Sequence, residues 1–166
     1  MSALSRSTVM VLGLSAATSL AACTVKSDSP SSTSAATHEF DPLFDAPQGA
    51  GVHADDIVGL WESTQTSSGL EVHLRMLFRD GRIQLANRCS GNGYETVTVG
   101  VTVRGTFANG TLSVADKGGT VDAPTTAAGK PDLVCKASLS GPGDAQYALG
   151  AGKLQLLGLS LTKVTD

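Results

Sequence analysis

Aromatic residues are scarce in this chain: 4% of 166 residues, with one Trp, two Tyr and four Phe. Trp61, Phe78, Tyr94, Phe107 and Tyr147 fall on separate segments, a poor stacking platform for sugars. Charged residues make up only 16%, the formal net charge is -3, and no basic cluster tracks a phosphate backbone, so nucleic acid is not expected as a partner. The three histidines, His38, His53 and His73, lie far apart with no second ligand at metal-binding spacing, and no acidic run has the alternating oxygens of a calcium loop. Neither G-x-S-x-G nor H-E-x-x-H occurs, and no two cysteines stand in C-x-x-C spacing. Two acids could still converge in a fold, but nothing here names a nucleophile, a metal or a cofactor. The chain therefore reads as non-catalytic, with no cofactor and no metal site.

Helical periodicity is also missing beyond the first 22 residues. Those residues form a unit of their own. Arg6 supplies a positive charge, Thr8 to Ala17 make an apolar core, and small residues close the segment, the three-part layout of an export signal. The apolar run is shorter than the roughly 20 residues a membrane span needs.

Leu20-Ala21-Ala22-Cys23 at its end resembles the lipobox of bacterial lipoproteins. The resemblance implies cleavage before Cys23, a diacylglyceryl group on its thiol and often an acyl chain such as palmitate on its new amine. An ordinary signal cut that leaves Cys23 as a free thiol is the rival. Two or three acyl chains, at about 0.8 kcal/mol per buried CH₂, make attachment effectively permanent. Cleavage removes Arg6 and no acid, so the net charge becomes -4. Thr24 stands where an Asp favours inner-membrane retention in Gram-negative lipoproteins, which leans toward the outer membrane, periplasmic or surface face. The membrane, reached through lipid on Cys23, is the one partner this reading supplies; the sequence names no protein partner.

Residues 23–54 read as the lipidated cysteine and a tether. T-V-K-S-D-S-P-S-S-T-S-A-A-T has too little apolar surface to offset chain ordering. Phe40, Leu43 and Phe44 then appear within an acidic, Pro- and Gly-bearing stretch. They are expected to pack on the outside of the following domain, with docking onto a partner as the alternative.

From residue 55 to 166 the period is two. Leu70, Val72, Leu74, Met76 and Phe78 alternate with mostly polar residues, Asp80-Gly81 makes a hairpin turn, and Ile83, Leu85 and Asn87 return toward Cys89. Val97 to Val103 make a further strand, which Asn109-Gly110 turns into Thr111 to Val114. Residues 116 to 132 read as a long loop, and strands resume at Leu133 to Leu139 and then to the C-terminus. With Ile57 to Thr64 the count is about eight. Short antiparallel strands in that number suit a small closed up-and-down barrel, with a two-sheet sandwich as runner-up.

Setting Cys23 aside leaves Cys89 and Cys135, and an even pair in an exported protein favours a disulfide. Two free buried thiols are the alternative. The loop C-S-G-N-G-Y, residues 89 to 94, is expected to be a turn beside that bridge, with a ligand-contacting rim as the second reading.

Gly59-Leu60-Trp61 resembles the G-x-W of the lipocalin (calycin) superfamily. L-R-M-L-F-R-D-G-R-I-Q-L is similar to the second and third strands of bacterial lipocalin-like lipoproteins, and Y-A-L-G-A-G-K-L-Q-L with L-S-L-T-K-V to their closing strands. The resemblance implies an eight-stranded barrel in which Gly59 and Trp61 plug one end. Lipocalins place an Arg over that Trp; Lys163 is the residue available here. N-R-C-S-G-N-G-Y with the later Cys also resembles META-type domains, without the polar run those carry after the second Cys.

The functional expectation is a membrane-anchored lipoprotein with a lipocalin-like barrel, non-catalytic and binding a small apolar ligand at the barrel mouth. The alternative is a filled barrel serving as an envelope structural or protein-interaction module. Eight-stranded barrels accommodate either outcome.

Overall fold

The computed structural model describes residues 38–45 and 56–164. The signal segment, Cys23, the tether up to residue 37, and His53 lie outside the described residues. Ten strands follow one another: β1 (Gly59–Ser67), β2 (Leu70–Arg79), β3 (Arg82–Gly91), β4 (Tyr94–Ala108), β5 (Thr111–Val114), β6 (Gly118–Thr125), β7 (Leu133–Ser140), β8 (Gly143–Gly150), β9 (Lys153–Leu156) and β10 (Leu159–Lys163). Eight of them close an antiparallel barrel in the order β1-β2-β3-β4-β5-β8-β9-β10, with β10 pairing back to β1. The expected all-β class and eight-stranded barrel are what the chain forms.

Its sequence dictates most of this locally. On β2 the residues Leu70, Val72, Leu74, Met76 and Phe78 are buried on one face. Ile83, Leu85, Asn87 and Cys89 on β3 and Val99, Val101 and Val103 on β4 meet them across the ladder. Asp80 and Gly81 both take positive φ, 52° and 69°, as the two-residue turn between twisted strands demands. β4 runs fifteen residues: its first part pairs with β3, and Gly105 to Ala108 pair with β5.

The up-and-down path is interrupted once. Instead of a long loop at 116 to 132, residues Gly118–Thr125 form β6, which pairs with β7 from Gly118↔Ser140 to Thr125↔Leu133. This hairpin is a separate two-stranded sheet, so Leu133 to Leu139 is not a barrel stave. The barrel still counts eight because β8, β9 and β10 all join it. Pro124 and the glycines at 118 and 119 disguise β6, yet Ala123 and Thr125 are buried on its inner side. A proline is tolerated there because β6 pairs on one side only.

Before the barrel, a 3₁₀ turn (His38–Phe40) and α1 (Pro42–Asp45) make a short strap. Phe40 and Leu43 are each 5% exposed and form a second apolar cluster with Leu60, Leu77 and Ala86. Those three barrel residues lie out of phase with the inward-facing sets. The strap therefore covers the outer wall of β1 to β4, as expected of Phe40, Leu43 and Phe44.

Candidate functional site

The barrel interior is the first place where a ligand could sit, and the β6–β7 hairpin is built into it. Leu133, Cys135, Ala137 and Leu139 of β7 and Ala123 of β6 belong to one core cluster with the inward residues of β2, β3 and β4. Cys89 on β3 and Cys135 on β7, both fully buried, are joined by a disulfide with Cα atoms 5.8 Å apart. Asn87, 2% exposed, donates from Nδ2 to the Lys136 carbonyl at 2.6 Å, while its Oδ1 has no hydrogen-bond partner among the described residues. At the hairpin's loop end the main-chain N–H of Glu95 donates to the Thr126 carbonyl and the Thr125 hydroxyl to the Glu95 carbonyl.

The Asn92-Gly93 turn, with Asn92 at φ 51° and Gly93 at 77°, reaches the same loop. Lys130 Nζ donates to the Asn92 carbonyl at 2.6 Å and side chain at 2.9 Å, and the Tyr94 hydroxyl to the Pro131 carbonyl at 2.9 Å. The C-S-G-N-G-Y loop is thus a turn beside the bridge, and its polar groups clasp the hairpin.

Trp61 and Lys163 are cross-strand neighbours on β1 and β10, and both are buried. The indole Nε1 donates to the Ile57 carbonyl at 2.9 Å, and Lys163 Nζ lies 4.6 Å from the indole ring centre. The same ammonium donates to the Asp56 carbonyl at 2.6 Å and to the Val58 carbonyl. Gly59, at φ 117°, sits between these carbonyls and the Trp. Burial lowers the Lys163 pKa, with nearby Asp56 opposing the shift. A lysine pKa lower in the folded chain than in the unfolded one makes the unfolded state hold more protons between the two values, so stability rises with pH there. Between the lowered value and about 10.5, wild-type protein should gain stability relative to Lys163→Met as pH climbs. Paired denaturant titrations across alkaline pH read this; parallel curves would contradict it.

The strap and the wall beneath it form the third place. Gly100 on β4, opposite Ala86 on β3, leaves a notch in the wall that the Phe40 ring occupies: a Cβ at position 100 would fall 2.5 Å from the ring. Phe44 lies between two guanidinium groups, Arg88 at 4.4 Å and Arg75 at 5.4 Å from its ring centre. Arg88 also pairs with Asp41 at 3.2 Å and Asp45 at 3.1 Å, and Arg75 donates to the Leu43 carbonyl at 2.6 Å while holding Glu62 at 2.9 Å. Burying Phe40 and Leu43 is worth about 1.5–3 kcal/mol each. Ordering the strap backbone opposes this gain, so losing the seat of Phe40 should be enough to free the segment. Gly100→Val, which any strand accommodates, should release it. Chymotrypsin cleavage after Phe40 and Phe44 should accelerate at least tenfold, with the barrel's melting little changed. Unaltered cleavage would contradict the notch.

Beside the strap runs an open groove of about 640 Å³ lined by Glu39, Pro42, Leu43, Leu77, Arg79, Asp80, Arg82 and Gln84. It lies on the barrel's outside, and its two arginines are offset by two acids. Further along that face, the half-buried Asp116 carboxylate accepts from Arg104 at 2.7 Å, which holds the carboxyl below its usual range.

His73 stands half-buried on the outer face, 4.0 Å from Glu62. Among the described residues no group of three His, Cys, Asp or Glu is placed to hold a metal. Sequence reasoning missed the hairpin insertion, the Gly100 notch and the arginine pair around Phe44. The alternation of Arg75 and Arg88 with apolar neighbours marks only that they point outward, not what they hold.

Compared with protein-family models, with curated proteins and with solved structures, the chain has no match.

Proposed function

We propose that the protein is a lipid-anchored envelope protein of the bacterial lipoprotein type, whose lipocalin-like barrel is a filled, non-catalytic structural or protein-interaction module. Anchoring rests on the export signal and on Leu20-Ala21-Ala22-Cys23; Thr24 favours the outer membrane. One observation supports the filled barrel above the rest: the β6–β7 hairpin shares the barrel's own core and is cross-linked into it through Cys89 and Cys135. Space that a carrier barrel would give to a small apolar ligand is taken here by Leu133, Ala137 and Leu139. The carrier reading requires the hairpin to move while covalently held.

The strap adds to this picture. Residues 24 to 37 connect the lipid to a segment docked on the outer wall, and fourteen residues span at most about 50 Å. A docked strap therefore keeps the barrel near its membrane.

Metabolic labelling with radioactive palmitate tests the anchoring. The full chain should incorporate label and fractionate with membranes, and Cys23→Ala should do neither. Membrane-free, unlabelled wild-type protein would remove the lipoprotein reading and leave the filled barrel to be judged on its own.

A further inference from the structure

The barrel seam between β1 and β10 is short. Their pairing is confined to Trp61↔Lys163 and Glu62↔Thr162, followed by the Val164 N–H donating to the Leu60 carbonyl. On its other side β1 pairs with β2 all the way to Ser67↔Leu70. Among the described residues, the last five of β1, Ser63 to Ser67, thus have a partner strand on one edge only.

Which main-chain groups face the open edge follows from the alternation of an antiparallel ladder. Leu60 directs its carbonyl to the β10 side, so Glu62, Thr64 and Thr66 direct their N–H and C=O groups the same way. Glu62 meets Thr162; Thr64 and Thr66 meet no strand among the described residues. Both threonines are exposed, and between Ser63 and Gly69 there is no Lys, Pro or other charged residue of the kind that blunts an edge. The nearest charge along β1 itself, Glu62, is already paired with Arg75.

The open segment reads Ser63-Thr64-Gln65-Thr66-Ser67, the same in both directions about Gln65. We propose that this edge pairs antiparallel with the same edge of a second copy of this chain, about a two-fold axis at Gln65. Thr64 then faces Thr66 of the second copy and Thr66 faces its Thr64; each of these two pairs exchanges two main-chain hydrogen bonds, which uses the two N–H and two C=O groups that each copy directs to this edge. Thr–Thr pairs are favourable across strands, and no like charges meet. Shifting the register by one residue would set Thr64 against Gln65, whose groups point to β2, so only the symmetric register, or one two residues away with fewer bonds, is compatible. Two-fold pairing of one patch with itself is the commonest route to a dimer. This surface is independent of the lipid anchor and of the strap.

Gln65→Cys tests it on the purified chain. At the axis the two Cys residues would form a non-hydrogen-bonded pair with Cα atoms about 4.5 Å apart, within disulfide range. Air oxidation should give a covalent dimer, whereas Thr102→Cys on the exposed outer face of β4 should give far less. Equal cross-linking of the two variants overturns the proposal. Thr66→Pro removes an N–H that points away from β2, so the barrel should melt as before. Its dimer should dissociate about 30-fold more readily by sedimentation equilibrium, for two lost hydrogen bonds. A wild-type chain that stays monomeric to about 1 mM, or a dimer indifferent to Thr66→Pro, overturns the proposal as well.

Discussion

Replacing Cys89 and Cys135 together by alanine should lower stability by about 4 kcal/mol, because the bridge closes a separation of 46 residues. For a domain of this size that corresponds to a fall in melting temperature of about 15–20 °C. The loss should not be spread evenly. Among strands, β6 and β7 have only each other for a ladder, whereas each barrel strand has two neighbours. Without the bridge the hairpin is held by the apolar side of β7, by Asn87 reaching the Lys136 carbonyl and by the contacts of Glu95, Asn92 and Tyr94. Backbone amides of residues 118 to 140 should therefore exchange with solvent well before those of β2 and β3. Hydrogen exchange followed residue by residue distinguishes this from general weakening. A double variant that loses less than about 1 kcal/mol would show that packing alone seats the hairpin.

Trp61→Ala should cost as much, about 3–5 kcal/mol. The indole is fully buried and is the chain's only tryptophan. Its removal opens a cavity at the end of the barrel where β1 meets β10. It also strips Lys163 of the ring facing its ammonium, leaving a buried charge with the Asp56 and Val58 carbonyls alone. Trp61→Phe separates the two effects: a ring remains for Lys163, but the bond to the Ile57 carbonyl is lost. That variant should lie between wild type and alanine. Unfolding must be followed by circular dichroism, since the intrinsic fluorophore is gone. An alanine variant within about 1 kcal/mol of wild type would mean that Trp61 closes nothing.

Much of the barrel is legible in the residues because its strands alternate cleanly. Leu70 to Phe78, Asp80-Gly81 and Ile83 to Cys89 state a hairpin almost without ambiguity, and the valines of 97 to 103 state the next strand. The pairing of Cys89 with Cys135 follows from parity once Cys23 is assigned elsewhere. β6 is not legible for a physical reason. It has one ladder neighbour and an exposed outer face, so it needs neither continuous hydrophobicity nor an unbroken row of N–H groups, and G-G-T-V-D-A-P-T reads as loop. Nor can the notch be seen in sequence. Gly100 sits among the outward-facing partners of a valine stripe, and only the register that sets it opposite Ala86, under Phe40, shows why a side chain would not fit. The open edge of β1 is hidden in the same way, since it depends on where β10 stops following β1.

The central claim is that the barrel is filled by its own hairpin and carries no cargo. Native mass spectrometry of the full chain purified under mild conditions tests it most directly. The account predicts the mass of the polypeptide, less the two hydrogens of one disulfide and plus the acyl groups on Cys23, with no component released on denaturation. An apolar molecule lost when the barrel unfolds, and bound again on refolding with a rise in melting temperature, would contradict it.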